Sequence, residues 1–278
     1  MLAIWILVFR EVLEAAMIVS VVAAATRGVE GRWRWIGSGL ALGSAGAGIV
    51  AMFAGRLADA MSGMGQEWFN AGVLLAATAM IGWHVVWMAR HGRALALEAG
   101  RYGDDVSSGR RPMTALMIVV AIAILREGSE VVLFSYGMFA GGSGSSDLLA
   151  GGLLGLASGI AAGVAMYAGL LKIPMRHFFR ATNGLLILLA AGLTTAAVGF
   201  LTQADVLPTL ANPLWDTSML LTDDAWLGRT LHALVGYTSQ PSGMQVLSYF
   251  SIVLLLSGGA RLAAPRRQAI NAMPNPTQ

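Results

Sequence analysis

The sequence predicts an all-α integral membrane protein: seven transmembrane helices, arranged as two inverted three-helix repeats plus a seventh helix, with the N-terminus outside and the C-terminus in the cytoplasm. Three observations predict it. Of the 278 residues, 56% are hydrophobic and 12% charged, about half the roughly 25% charge of a soluble domain, and the mean hydropathy is +0.67. Seven apolar runs, 2–26, 35–57, 68–88, 113–140, 148–171, 181–203 and 244–262, approach the ~20 residues that cross a bilayer. The basic residues collect on alternate connections. A soluble globular domain is excluded. The net charge of +3 does not indicate a nucleic-acid partner, because the basic residues form no continuous patch. Without cysteine there is no disulfide, thiolate metal site or catalytic thiol.

Each element has its own justification. The first run has no basic segment before it, carries three charged residues within it and is followed by its positive charges, so it reads as a span and not a cleaved signal peptide. Gly39, Gly43, Gly46 and Gly48 in the second run, and Gly151, Gly155, Gly159 and Gly163 in the fifth, line helix faces that permit close backbone contact in lipid. Glu67 opens the third run, where a carboxylate favours a helix N-terminus or serves as an ion relay. The connection 204–243 is the long outer loop, with Asp205, Asp216, Asp223 and Asp224 as an ion-attracting vestibule and Trp215 and Trp226 suited to the membrane interface. The tail 265–278, with Pro274 and Pro276, reads as disordered.

Charge sets the orientation. Arg27, Arg32, Arg34, Arg90, Arg93, Arg101, Arg110, Arg111, Lys172, Arg176, Arg180, Arg261, Arg266 and Arg267 lie on one side, fourteen of the 18 basic residues. Only Arg56 and Arg229 lie opposite, so the positive-inside rule places that richer side in the cytoplasm.

An internal repeat relates the halves. Arg10-Glu11-x-x-Glu14 recurs as Arg126-Glu127-x-x-Glu130 at an offset of 116, and the stretches 50–55 and 74–77 recur at 164–169 and 188–191, each at an offset of 114. Because each unit has three spans, the copies enter the membrane in opposite directions. Residues 1–264 therefore form one transmembrane domain, with repeat A over about 2–90, repeat B over about 113–203, the outer loop at 204–243 and the seventh helix at 244–262. Such inverted repeats belong mainly to transporters and channels, with the site near the midplane.

The chemistry rests on the repeated motif. At 100° per residue, Arg10, Glu11 and Glu14 share one helix face, as do Arg126, Glu127 and Glu130. Six charges exposed to lipid would cost on the order of 15–20 kcal/mol, so they face inward and pair, the arginines balancing charge. Interhelical ion pairs that only fix the bundle are the structural alternative. Four carboxylates from Glu11, Glu14, Glu127 and Glu130 instead make a hard, oxygen-rich site suited to a small, highly charged cation.

These residues resemble the high-affinity iron permeases, comprising the ferroxidase-coupled fungal permeases and the bacterial Efe-type permeases. The stretches 9–19 and 125–134 look like the family's two Arg-Glu-x-x-Glu helices, supported by 66–69, 175–179, 234–237 and Pro241-Ser242. The spacers, Val-Leu and Gly-Ser, depart from the family's commonest Gly-Leu. Asn70 stands where many relatives carry a second acid after Glu67. The resemblance implies a multi-pass permease of the cytoplasmic membrane that imports iron. It implies Fe3+ made by an extracytoplasmic oxidase or brought by an iron-delivery protein, and no organic cofactor. Lead or manganese is the alternative cargo, an intramembrane carboxylate metalloenzyme the alternative class, and a homo-oligomer stays open.

Other residues are weighed against this. Met61-x-x-Met64 lacks the array expected of a copper site. His84 and His232 read as packing residues, and His91 and His177 as interface residues, so no histidine enters the site. Lys172, the sole lysine, belongs to no phosphate loop. It also lies outside the seventh run, which excludes a retinal Schiff base. No Glu-x-x-His pairing of a di-iron enzyme is present.

Overall fold

The computed structural model describes residues 1–61, 66–169, 175–223 and 225–263. Among these residues the chain is all-helical: α1 (Leu2–Ala25), α2 (Arg32–Met61), α3 (Gln66–Ser107), α4 (Thr114–Ala140), α5 (Ser145–Tyr167), α6 (Met175–Gln203), α7 (Trp226–Val235) and α8 (Gly243–Ala263). The tail expected at 265–278 lies outside the described residues. Five helices are long and apolar enough to cross a membrane, over Arg32–Arg56, Glu67–Ala89, Ser145–Tyr167, Arg180–Gln203 and Gly243–Ala263. The chain is an all-helical membrane protein.

Two elements differ from the sequence expectation. The third apolar run ends at 88, yet α3 continues to Ser107, 42 residues in all, or about 63 Å at 1.5 Å per residue. Tertiary packing carries it past its apolar stretch. Gly100 and Gly103 approach Val21 and Ala25 at the end of α1, and Ala99 and Val106 join Val22, Ala23 and Ile36 in a buried cluster. The expected outer loop 204–243, in turn, contains the ten-residue α7. This helix closes at Gly236, whose φ of 69° is left-handed and whose backbone packs on Gly192 of α6. A side chain is disfavoured there twice over, by conformation and by space. After α7, Ser242 and Gln245 cap α8 reciprocally: the Ser242 N–H donates to Gln245 Oε1 at 2.9 Å and the Gln245 N–H to Ser242 Oγ at 3.3 Å.

Glycine seams join the two halves. A Cβ placed on Gly155 of α5 would lie 2.7 Å from Val8 Cβ, 2.8 Å from Trp5 O and 2.9 Å from Phe9 N of α1. Gly151, Gly159 and Gly163 meet α1 in the same way. On α2, Gly39, Gly43 and Gly46 approach Val120, Ile124 and Leu125 of α4, while Gly48 meets nothing within 4 Å and is not part of the seam. The first helix of each half is thus held by the second helix of the other. The gain is van der Waals contact between backbones, the main attraction available between helices in lipid.

Contacts in register give the direction of every long helix. Gly151, Gly155, Gly159 and Gly163 ascend alongside Ile4, Val8, Val12 and Ala16, so α1 and α5 run parallel. Arg10 meets His84, and further along Val21 and Ala25 meet Gly100 and Gly103, so α3 is parallel to α1. Along α4 the order reverses: Ala77 meets Gly137, His84 meets Glu130 and Trp87 meets Arg126. Helix α2 ascends with α4, α6 descends against α3, and α8 ascends with α3. Hence α1, α3, α5 and α8 point one way, and α2, α4 and α6 the other.

Candidate metal site

Helix α1 presents Arg10, Glu11 and Glu14 on the face that meets α3, α4 and α6. All three are buried. The Arg10 guanidinium sits among four acceptors: Nη1 lies 2.6 Å from Glu11 Oε1, and Nη2 lies 2.6 Å from Glu14 Oε1, 2.7 Å from His84 Nε2 and 3.4 Å from Asn183 Oδ1. Arginine only donates, so His84 Nε2 accepts and the neutral ring carries its proton on Nδ1. That Nδ1 contacts Glu130 Oε2 of α4. The imidazole therefore links the arginine of the first motif to the second glutamate of the other.

The second motif is arranged differently. Arg126 is 29% exposed, its Nε 3.2 Å from Glu130 Oε1 and 3.9 Å from Glu127 Oε1, and its guanidinium lies 4.1 Å from the Trp87 ring centroid. Glu127 is buried beside it. Ligand atoms of Glu11, Glu14 and His84 lie within 4.8 Å of one another, as do those of Glu11, Glu127 and Glu130, so Glu11 belongs to both groups. Two arginines against four glutamates leave an excess of negative charge. Moreover, Glu11 Oε2, Glu14 Oε2 and Glu127 Oε2 are buried and make no hydrogen bond among the described residues. Unmet carboxylate oxygens in a low-dielectric interior are costly, and a bound cation removes that cost.

Glu11 and Glu127 also line a cleft of about 720 Å³ enclosed by α1, α2, α4 and α5. Its walls are mostly apolar, from Trp33 and Leu40 of α2 to Ile160 and Tyr167 of α5, with Ser20, Ser44 and Ser135 as hydroxyls. The carboxylates thus border a cavity that offers few competing ligands.

Of the expected secondary residues, Glu67, Asp216 and Asp223 lie apart from this cluster. Glu67 is exposed in the first turn of α3. Asp216 accepts from the Ser218 N–H at 2.9 Å and from Gln240 Nε2 at 2.8 Å, and these bonds hold its carboxyl below the usual range. Asp223 accepts from the N–H and hydroxyl of Ser239, at 2.8 and 2.7 Å, and so ties the segment after α7 to the one before it. Asp224 and Met64 lie outside the described residues, as do the side chains of Met61, His91 and His177. His232 Nδ1 lies 2.7 Å from Tyr237 O, a local bond within the turn that follows α7.

His84, read from the sequence as a packing residue outside the site, is buried between the charges of the two motifs. Its signal was an ionisable residue inside an apolar run, a functional candidate by default. Asn183 was also missed, for a single polar amide near the start of a helix has no distinguishing spacing.

The Iron permease FTR1 family profile matches residues 1–267. Among curated relatives, a protein named Ferrous iron permease EfeU from Yersinia pestis is 27% identical over 95% of this chain and 98% of its own length. The protein of that name from Escherichia coli O6:H1 is 30% identical over 95% of this chain and 96% of its own. No solved structure gives a significant match. With the family matched over nearly the whole chain, this protein is a transporter and not an enzyme, and it belongs to the Iron permease FTR1 family.

Proposed function

We propose that this chain imports iron across the cytoplasmic membrane through one buried centre in which the two Arg-Glu-x-x-Glu motifs meet. One observation carries the reading: glutamates from antiparallel α1 and α4 converge within ligand distance, with three carboxylate oxygens left without partners. The relatives' names supply iron as the cargo.

The same reading has seven spans. The five apolar helices are joined by α1 and α4, whose central charges alone keep them from an apolar composition, and those charges are buried against each other. The alternating helix directions support seven crossings and the inverted repeat. The outer acids Glu67, Asp216, Asp223 and Asp224 attract cations toward the buried carboxylates, the cleft from Glu11 and Glu127 to Ala23, Trp33 and Tyr167 at the cytoplasmic helix ends is the way onward, and Arg10 and Arg126 balance charge while the site is empty. Movement of one repeat against the other then releases the ion inside.

The hard carboxylate set supports Fe3+, made from Fe2+ by an extracytoplasmic oxidase, whereas the relatives' names and the imidazole support Fe2+. Uptake of radioactive iron into proteoliposomes, supplied anaerobically as Fe2+ or as ferric citrate, decides between them. With manganese, lead and zinc as competitors it also tests the cargo. Glu14→Gln and Glu130→Gln, with folding confirmed by size-exclusion chromatography, are expected to reduce uptake to background. Normal transport by the folded variants would make those glutamates structural.

A further inference from the structure

We propose that His84 is a metal ligand and the residue that makes the site prefer transition-metal cations to Mg2+ and Ca2+. The inference rests on the carboxylate centre proposed above and adds a nitrogen donor to it. A site made of carboxylates alone also accepts the alkaline-earth cations, because these too take oxygen ligands. An imidazole nitrogen changes that balance: it suits iron and zinc better than magnesium or calcium.

The geometry points to His84 as that donor. Its ring is buried, one of its nitrogens lies within 4.8 Å of carboxylate oxygens of both Glu11 and Glu14, and its Nε2 meets the Arg10 Nη2 that bridges it to Glu14. That Nη2 lies 2.7 Å from Nε2 and 2.6 Å from Glu14 Oε1. The guanidinium is a tethered cation on acceptors that a metal ion takes once Arg10 turns aside, and Asn183 Oδ1 at 3.4 Å is a neutral acceptor beside them. On its far side the ring is fixed by Glu130, in contact with Nδ1. A carboxylate on the second nitrogen sets tautomer and ring orientation for a metal on the first. Glu130 therefore acts on the ion through His84, and the two halves contribute unequally: α1 supplies ligands directly, and α4 supplies Glu127 together with a positioning carboxylate.

The test uses the full-length protein in lipid nanodiscs with Mn2+ as the paramagnetic probe. Wild type is expected to show electron spin-echo modulations from a directly coordinated imidazole nitrogen. A variant with His91, His177 and His232 all replaced by asparagine should keep them. In His84→Gln the Mn2+ modulations should vanish and Zn2+ affinity fall roughly 10-fold or more, since losing a ligand costs no less than losing the outer-shell partner that orients one, while Mg2+ affinity changes by less than about threefold, since oxygen ligands remain. If wild type lacks nitrogen modulations although Glu11→Gln abolishes Mn2+ binding, the carboxylate site stands and the role of His84 is refuted. Modulations that survive in folded His84→Gln refute it as well. Mn2+ binding that is absent, or indifferent to Glu11→Gln, overturns the carboxylate centre and this inference together. The wild-type spectrum needs no substitution, so a misfolded variant does not rescue the idea.

Discussion

Arg10 and Arg126 stand at the same position of two copies of one motif, yet they do different work. Arg10 is 1% exposed and meets two carboxylates, an imidazole and an amide. Arg126 is 29% exposed, with one face on Trp87. Removing one partner from a buried ion pair leaves an uncompensated charge, at about 3–5 kcal/mol, whereas a partly exposed pair contributes about 0–1 kcal/mol. Arg10→Ala is therefore expected to lower thermal stability far more than Arg126→Ala, read as melting temperature in detergent. Arg10→Lys should also fail to restore transport, since an ammonium cannot span acceptors set out for a planar fork. Equal effects of the two alanine variants would refute the asymmetry. Both arginines and all four glutamates were legible in the sequence, because spacings of one and four put them on one helix face. His84 was not, because a lone histidine has no periodicity and its meaning comes only from the helices packed around it.

At the scale of the element, the glycine seams decide which residues tolerate a side chain. A methyl at Gly155 meets the α1 backbone, which has no rotamer to change, so Gly155→Ala should cost about 1–3 kcal/mol through overpacking and separate α1 from α5. A methyl at Gly152, one helical turn before Leu156, meets nothing within 4 Å, and Gly152→Ala should leave stability unchanged. Thermal unfolding of the two variants in the same detergent makes the comparison, and a Gly155→Ala protein as stable as wild type would count against the seam. The helices were largely readable from hydropathy, but their ends were not. Hydropathy sees the third span stop near Met88 and misses that Gly100 and Gly103 dock on α1 and extend the helix. Nor does it register α7, whose ten residues owe their place to contact with α6 and to the left-handed turn at Gly236.

For the whole molecule, the alternation of helix directions groups the connections, and the proposed orientation puts the group rich in basic residues in the cytoplasm. The chain contains no cysteine, so single cysteines report topology without background. Ser108→Cys, between α3 and α4, should react with a membrane-impermeant maleimide only after the cells are opened. Ser143→Cys, between α4 and α5, and Ser218→Cys, before α7, should react in intact cells. Labelling of Ser108→Cys and Ser143→Cys from the same side would refute the orientation and the crossing of α4. The repeat is an expectation from matched stretches in register. The exchanged packing was not legible there, because sequence similarity says which helices correspond and nothing about which ones touch.

That exchange bears on how the molecule is made. The partner of α1 is α5 and the partner of α4 is α2, so a ribosome that has delivered the first three helices has completed neither seam. Until α4 arrives, Glu11 and Glu14 have Arg10 and His84 for company, and the bare glycine face of α2 has no helix to close on. Both seams therefore close only when helices of both halves are present.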